Sequence, residues 1–177
     1  MNTMKNIGLA AVAAAVAAAP TGLTAGLAPA SAAPTQTQGT TLSVTPDPAN
    51  PGYYRLAVKG MFPMNEYDAH GFINNLETGE SPGGMDYGIH GDDPDSNDRL
   101  LGNMYAYRGA GGTRSTGYLT AESDGIHFFQ IISVPKSLLN EDDGVFDDTD
   151  EVYVVADFVD GDGGKRTAFT NPVSGTF

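Results

Sequence analysis

The sequence predicts an all-β fold: a single antiparallel β-sandwich of about eight or nine short strands with at most one short helical turn. Three observations lead to this prediction. From Leu42 onward, short runs alternate between apolar and polar residues, as half-buried strands do. Clusters of Gly, Pro, Asn and Asp separate these runs, and the chain holds 23 Gly and 11 Pro among 177 residues. Only one short stretch has the pattern of a helical turn.

The strands can be placed in order along the chain. Leu42–Thr45 alternates and ends at the turn-forming stretch 46–52. In the next run Tyr54, Leu56 and Val58 share one face, which indicates a strand with one side buried. Further candidate strands are 70–76, 86–90, 100–107, 117–121, 126–134 and 152–158.

The C-terminal part predicts a hairpin and an edge strand. Residues 152–158 are rich in β-branched and aromatic side chains. The turn at 160–164 connects them to 167–169, their expected hairpin partner. Residues 171–177 are expected to close the sheet as an edge strand. The single helical turn is expected at 137–141, after Pro135.

This succession of strands is similar to immunoglobulin-like and C2-like sandwiches. The similarity lies in the number and spacing of the strands, and it implies two packed antiparallel sheets. The Cys and Trp that mark immunoglobulin domains proper are absent, because the chain contains neither residue.

Residues 1–32 have the organisation of a secretory signal peptide. Lys5 precedes the apolar stretch 7–19, and Ala30-Ser31-Ala32 fits a cleavage site. The apolar stretch is too short for a membrane span, which needs roughly 20 residues. We therefore expect cleavage near Ala32 and an extracellular protein. A flexible leader over 33–41 and one β-sandwich domain over 42–177 would follow.

The charge and the missing cysteines exclude several functions. The net charge is −13, from 22 acidic and 9 basic residues, so binding to a phosphate backbone is not expected. Without Cys there is no disulfide, cysteine nucleophile or cysteine-ligated metal. Fifteen of the 22 acids lie in the two segments 86–98 and 141–162.

These Asp-rich segments predict a candidate calcium site. Ca²⁺ binds six to eight oxygen ligands, and short carboxylates on tight turns supply them. The predicted ligands are Asp92, Asp93, Asp95 and Asp98 in one loop and Asp147, Asp148 and Asp150 in another. Neither an EF-hand nor a repeated calcium β-roll fits. The alternative is that these residues form turns and add surface charge.

The expected function is that of a non-enzymatic binding or surface-interaction module. Its partner would be an extracellular protein or a glycan, and its oligomeric state is left open. The chain has no G-x-S-x-G motif, and His70, His90 and His127 lack the spacing of a histidine metal pair. No catalytic residue is predicted. A secreted hydrolase, or an inhibitor of one, is the alternative.

Overall fold

The protein consists mainly of two antiparallel β-sheets. The structure, a computed structural model, describes residues 34–76, 83–91, 99–106, 117–140 and 149–177. The strands within these ranges are β1 (Thr41–Pro46), β2 (Tyr53–Pro63), β3 (Gly84–Gly91), β4 (Arg99–Ala106), β5 (Gly117–Glu122), β6 (Gly125–Pro135), β7 (Asp150–Val159), β8 (Lys165–Phe169) and β9 (Val173–Gly175). The helices there are α1 (Glu66–Asn75) and α2 (Lys136–Leu139). The predicted all-β character is thus confirmed.

The nine strands divide into a four-stranded sheet and a five-stranded sheet. The four-stranded sheet has the order β1-β2-β6-β5. The five-stranded sheet has the order β4-β3-β7-β8, and β9 also pairs with β7, beyond the end of β8. All neighbouring strands are antiparallel. The predicted hairpin between β7 and β8 across 160–164 is present.

Alternating side chains place one face of each sheet in a shared core. In β2, Leu56 and Val58 are completely buried, and in β6 Ile132 lies opposite Leu56 in the register. Because alternate residues of a strand point to opposite sides, the intervening residues of β2 and β6 face outward. Burial of each large apolar side chain contributes about 1.5–3 kcal/mol relative to exposure.

An aromatic cluster connects the two sheets and α1. The rings of Phe62 and Phe128 in the four-stranded sheet are 5.2 Å apart, and Phe62 is 6.0 Å from Phe158 in β7. Phe72 of α1 meets Phe158 edge-on at 6.2 Å. Tyr87 of β3 contacts Phe128 at 6.3 Å. These ring contacts make one core from elements far apart in the sequence.

Two predictions about helices need correction. Residues 70–76 do not form a strand, because most of them belong to the ten-residue helix α1, and the limit of one short helical turn is therefore wrong. Asn65 caps α1 by accepting a 2.9 Å hydrogen bond from the backbone N–H of Asp68. The buried or half-buried Ala69, Phe72, Ile73 and Leu76 follow helical spacing. The helical turn expected at 137–141 corresponds to α2.

The residues before β1 are attached to the end of the five-stranded sheet. Thr37 N–H donates to the Phe169 carbonyl at 2.9 Å, and Thr37 Oγ1 accepts from Phe169 N–H at 3.0 Å. Thr40 is completely buried. These hydrogen bonds attach Thr37, which lies within the expected leader 33–41, to the end of β8.

In the described ranges, no helix has both the length and the apolar character that crossing a membrane would need.

Candidate functional site

The aspartates predicted to bind calcium fall almost entirely outside the described part of the chain. This applies to Asp92, Asp93, Asp95, Asp98, Asp147 and Asp148. Asp150 is described: it begins β7, lies opposite Gly175 of β9 and is 6% exposed. Whether Asp150 meets the other six therefore stays a prediction.

A different set of polar side chains comes together at the β5–β6 hairpin. Glu122, Asp124 and His127 each offer one ligand atom, and these three atoms lie within 4.8 Å of one another. His127 Nε2 and Asp124 Oδ1 are 2.7 Å apart. Carboxylates and an imidazole can ligate Zn²⁺ and related divalent ions. The tight turn brings Glu122 near Asp124 and the hydrogen bond brings His127 to Asp124, so these contacts alone explain the cluster and we base no metal function on it.

The local sequence explains how this hairpin forms. The turn between β5 and β6 consists of Ser123 and Asp124, and Gly125 follows with φ of 152°. A Cβ atom at position 125 would collide with the carbonyl oxygen of Phe62, so the close approach requires glycine. The hydrogen bond to His127 holds the pKa of Asp124 below its ordinary value of 3.8. The Asp-Gly turn signal between two alternating runs could have revealed the cluster.

A second aspartate, Asp47, organises the turn before β2. Its Oδ1 accepts the backbone N–H of Ala49 at 2.9 Å, and its Oδ2 accepts the Ser133 hydroxyl at 3.0 Å. The Ala49 N–H is the main cause that lowers the pKa of Asp47, and Ser133 and Arg55 act in the same direction. The Asp47 carboxylate therefore accepts a backbone N–H of the turn, and its lowered pKa favours the ionised form.

The outward side of the four-stranded sheet carries an apolar centre with two basic side chains. We call Arg55, Ala57, Lys59, Met61, Tyr118, Phe129 and Ile131 the outer sheet face. In the register Lys59 lies opposite Phe129, which lies opposite Tyr118 on its other side. The rings of Tyr118 and Phe129 are 5.8 Å apart and tilted by 30°. Lys59 is exposed, and the other six are half-buried.

The two sheets differ in the charge of their outward sides. In the described strands of the four-stranded sheet, Glu122 at the hairpin end is the only carboxylate among the outward-facing side chains, against Arg55 and Lys59. On the five-stranded sheet, Asp86 lies opposite Asp157, and Lys165 forms a 2.8 Å ion pair with Asp157. The strands of the outer sheet face thus carry two cations and one carboxylate, and the Asp47 carboxylate of the turn before β2 lies close to Arg55.

Comparison with known proteins gives no match: no protein-family model, curated protein or solved structure is significantly similar to the chain.

Proposed function

We propose that this protein is a small secreted, non-enzymatic binding module that contacts an acidic patch of a partner protein through its outer sheet face. The single observation behind this proposal is the apolar centre of that face with Lys59 beside it, while the carboxylates lie toward its ends, Asp47 near Arg55 at one end and Glu122 at the other. Interface centres are typically rich in aromatic residues, Met and Arg and poor in acids.

We further propose that the fold is immunoglobulin-like. In the usual lettering of that fold, one sheet has the order A-B-E-D and the other contains C, F and G. Lettering the strands β1 to β8 along the chain as A, B, C, C′, D, E, F and G gives A-B-E-D for the four-stranded sheet and C′-C-F-G for the other. This correspondence favours the immunoglobulin-like arrangement over the C2-like one.

The partner's chemistry follows from local charge. Lys59 and Arg55 flank apolar side chains, so a surface with a few carboxylates around an apolar centre is complementary to them. The chain's net charge of −13 opposes approach of an acidic protein. That long-range repulsion is screened beyond about 8 Å at physiological salt, whereas direct contacts are screened less. Local complementarity therefore decides the bound state.

Selection from a phage-displayed library of random twelve-residue peptides tests this proposal. We expect the peptides selected on the purified protein to combine apolar residues with Asp or Glu. Lys59→Glu and Phe129→Ser should each weaken binding about tenfold or more, because each removes part of a contact centre. Raising the salt concentration should weaken binding to the unmodified protein.

A matched control separates local contact from net charge. Lys165→Glu makes the same charge change on the other sheet, and because Lys165 pairs with Asp157, whose side chain is only 16% exposed, a melt must first show that this variant is folded. This variant should bind the peptides like the unmodified protein. Selection of basic peptides, or equal binding by Lys59→Glu, would refute the proposal. Circular dichroism melts of Phe129→Ser should be run alongside to check that this variant is folded.

Calcium binding is proposed as a separate property of Asp92, Asp93, Asp95, Asp98, Asp147, Asp148 and Asp150. The support is their density and their turn-rich sequence context. Isothermal titration with Ca²⁺ and melts in CaCl₂ against EDTA test it. We expect a higher Tm with calcium, because a ligand that binds only the folded state stabilises it. An unchanged Tm at millimolar calcium would show that these residues only form turns and surface charge.

The alternative function, a secreted hydrolase or hydrolase inhibitor, is favoured by no observation in the described residues. There the hydroxyls of Ser133 and Ser174 donate to the carboxylates of Asp47 and Glu151. His127 contacts Asp124. These pairs lack the serine-to-histidine contact that nucleophilic hydrolysis needs.

A further inference from the structure

A depression on the exposed side of α1 has the size of a small ligand site. Its volume is about 420 Å³, within the range of 300–1,000 Å³ that is usual for ligand pockets. The described residues that line it all lie between Tyr67 and Asn75 of α1, and Gly71 is the middle one of them in the sequence.

Gly71 keeps this depression open without any packing reason to be glycine. A Cβ atom built at position 71 would meet nothing within 4 Å. Glycine in a helix interior is about 1 kcal/mol less favourable than alanine. α1 therefore carries a destabilising residue that no neighbour among the described residues requires. A ligand that approaches the helix backbone at this point would require it.

The side chains around Gly71 combine an aromatic ring with polar groups. Tyr67 is 87% exposed, the highest value among the exposed large apolar and aromatic residues of the described ranges. Asp68 is held in place by the cap residue, since Asn65 Nδ2 donates to Asp68 Oδ2 at 2.8 Å. His70 and the exposed Asn74 complete the polar rim. A ring to stack on and fixed hydrogen-bonding groups suit a pyranose, which has an apolar face and a rim of hydroxyls.

The local charge selects a neutral sugar. Glu66 and Asp68 are exposed in the first turn of α1, and His70 Nε2 is 4.0 Å from Glu66. The guanidinium of Arg166 lies 5.0 Å from the ring centroid of Phe72 and is engaged there. Uronates and sulfated sugars would meet carboxylates at this site, which disfavours them.

We propose that the α1 depression centred on Gly71 binds a neutral oligosaccharide, with Tyr67 stacking on a sugar ring and Asp68 and Asn74 hydrogen-bonding its hydroxyls. This site is separate from the outer sheet face and does not depend on it. The protein would then contact a glycan through α1 and a protein through its four-stranded sheet.

Titration with neutral hexasaccharides tests the site. The probes are hexamers of β-1,4-linked glucose, xylose, mannose and N-acetylglucosamine, with a galacturonate hexamer as the anionic comparison. Binding is followed by isothermal titration and by NMR shifts of the Tyr67 and Gly71 amides. We expect at least one neutral hexamer to bind and to shift both amides, and the galacturonate hexamer to bind at least tenfold more weakly.

Gly71→Ala gives the sharpest variant because its two expected effects have opposite signs. The added methyl should raise Tm by a few degrees through helix propensity. The same methyl should weaken sugar binding about tenfold by holding the sugar away from the helix backbone. Tyr67→Ala should also weaken binding about tenfold, whereas Tyr53→Ala, at another exposed tyrosine in β2, should leave it unchanged.

Three results would overturn the proposal: no neutral hexamer binds at millimolar concentration, the galacturonate hexamer binds best, or Gly71→Ala binds the sugar as the unmodified protein does. Peptide binding at the outer sheet face should be the same in Gly71→Ala and the unmodified protein. A failure of one site therefore does not imply failure of the other.

Discussion

At the scale of single residues, polar side chains of this protein often replace missing backbone partners. The amide of Asn171 both accepts from Leu42 N–H and donates to Leu42 O, which occupies the backbone of Leu42 in edge strand β1. Thr170 does the same for Val154 between β8 and β9, through its hydroxyl oxygen and its own N–H. Asp160 accepts backbone N–H groups in the β7–β8 turn. These polar side chains therefore hydrogen-bond backbone groups at an edge strand, between strands and in a turn.

Asp47 gives a prediction about acid stability. Its pKa is lowered in the folded protein from the ordinary 3.8, so it stabilises the fold above that pH. The contribution is lost as the pH falls from about 4 toward the lowered pKa. Asp47→Asn should lower Tm at neutral pH and should flatten the decline of Tm below pH 4. Calorimetric melts between pH 2.5 and 7 measure both effects.

Ser133→Ala serves as a graded control for Asp47. It removes one of the hydrogen bonds to the carboxylate but leaves the main one, from Ala49 N–H. Its melting curve should fall between those of the unmodified protein and Asp47→Asn. Parallel pH profiles for all three proteins would contradict the role given to this carboxylate.

At the scale of elements, the sequence predicts the strands better than the helix. Period-two alternation is strong in β2 and β6, and both lie where that pattern puts them. The local pattern of 70–76 predicts a strand because Phe72 and Ile73 favour strands, whereas Gly71 disfavours a helix. The competing signal was the Asn65 cap followed by Ala69, Phe72, Ile73 and Leu76 at helical spacing. Packing of this apolar stripe on the core decided the outcome.

The cap of α1 is testable by substitution. Asn65→Ala should lower the free energy of unfolding by about 1 kcal/mol, because it removes the acceptor for the Asp68 N–H. Asn65→Ser keeps a capping hydroxyl and should cost clearly less. Urea unfolding with a common m-value measures the difference. Equal stability of the two variants would show that α1 is held by its packing alone.

Only part of the outer sheet face could be predicted from the sequence. Alternation in β2 already places Arg55, Lys59 and Met61 on one side of a strand. Phe129 lies between Lys59 and Tyr118 because β6 pairs with β2 on one side and with β5 on the other. The local sequence pattern does not predict this long-range register. The same applies to the α1 depression, because a helix had to replace the expected strand.

At the scale of the whole molecule, charge is distributed unevenly over a strongly acidic chain. The outward side of the five-stranded sheet carries acids such as Asp86 and Asp157, whereas the outer sheet face carries Arg55 and Lys59. A net charge of −13 gives a long-range repulsion between copies of the chain. A partner with a few carboxylates around an apolar contact would be complementary to Lys59 and the apolar centre of the outer sheet face.

The most direct measurement of this account is NMR shift mapping of the ¹⁵N-labelled protein with an acidic peptide selected on it. If the outer sheet face is the contact surface, the largest amide shifts fall on β2, β6 and β5 around Lys59, Phe129 and Tyr118. These shifts should also diminish with rising salt. Shifts concentrated on β3, β7 and β8, or shifts that stay the same in Lys59→Glu, would show that the outer sheet face is not the contact surface.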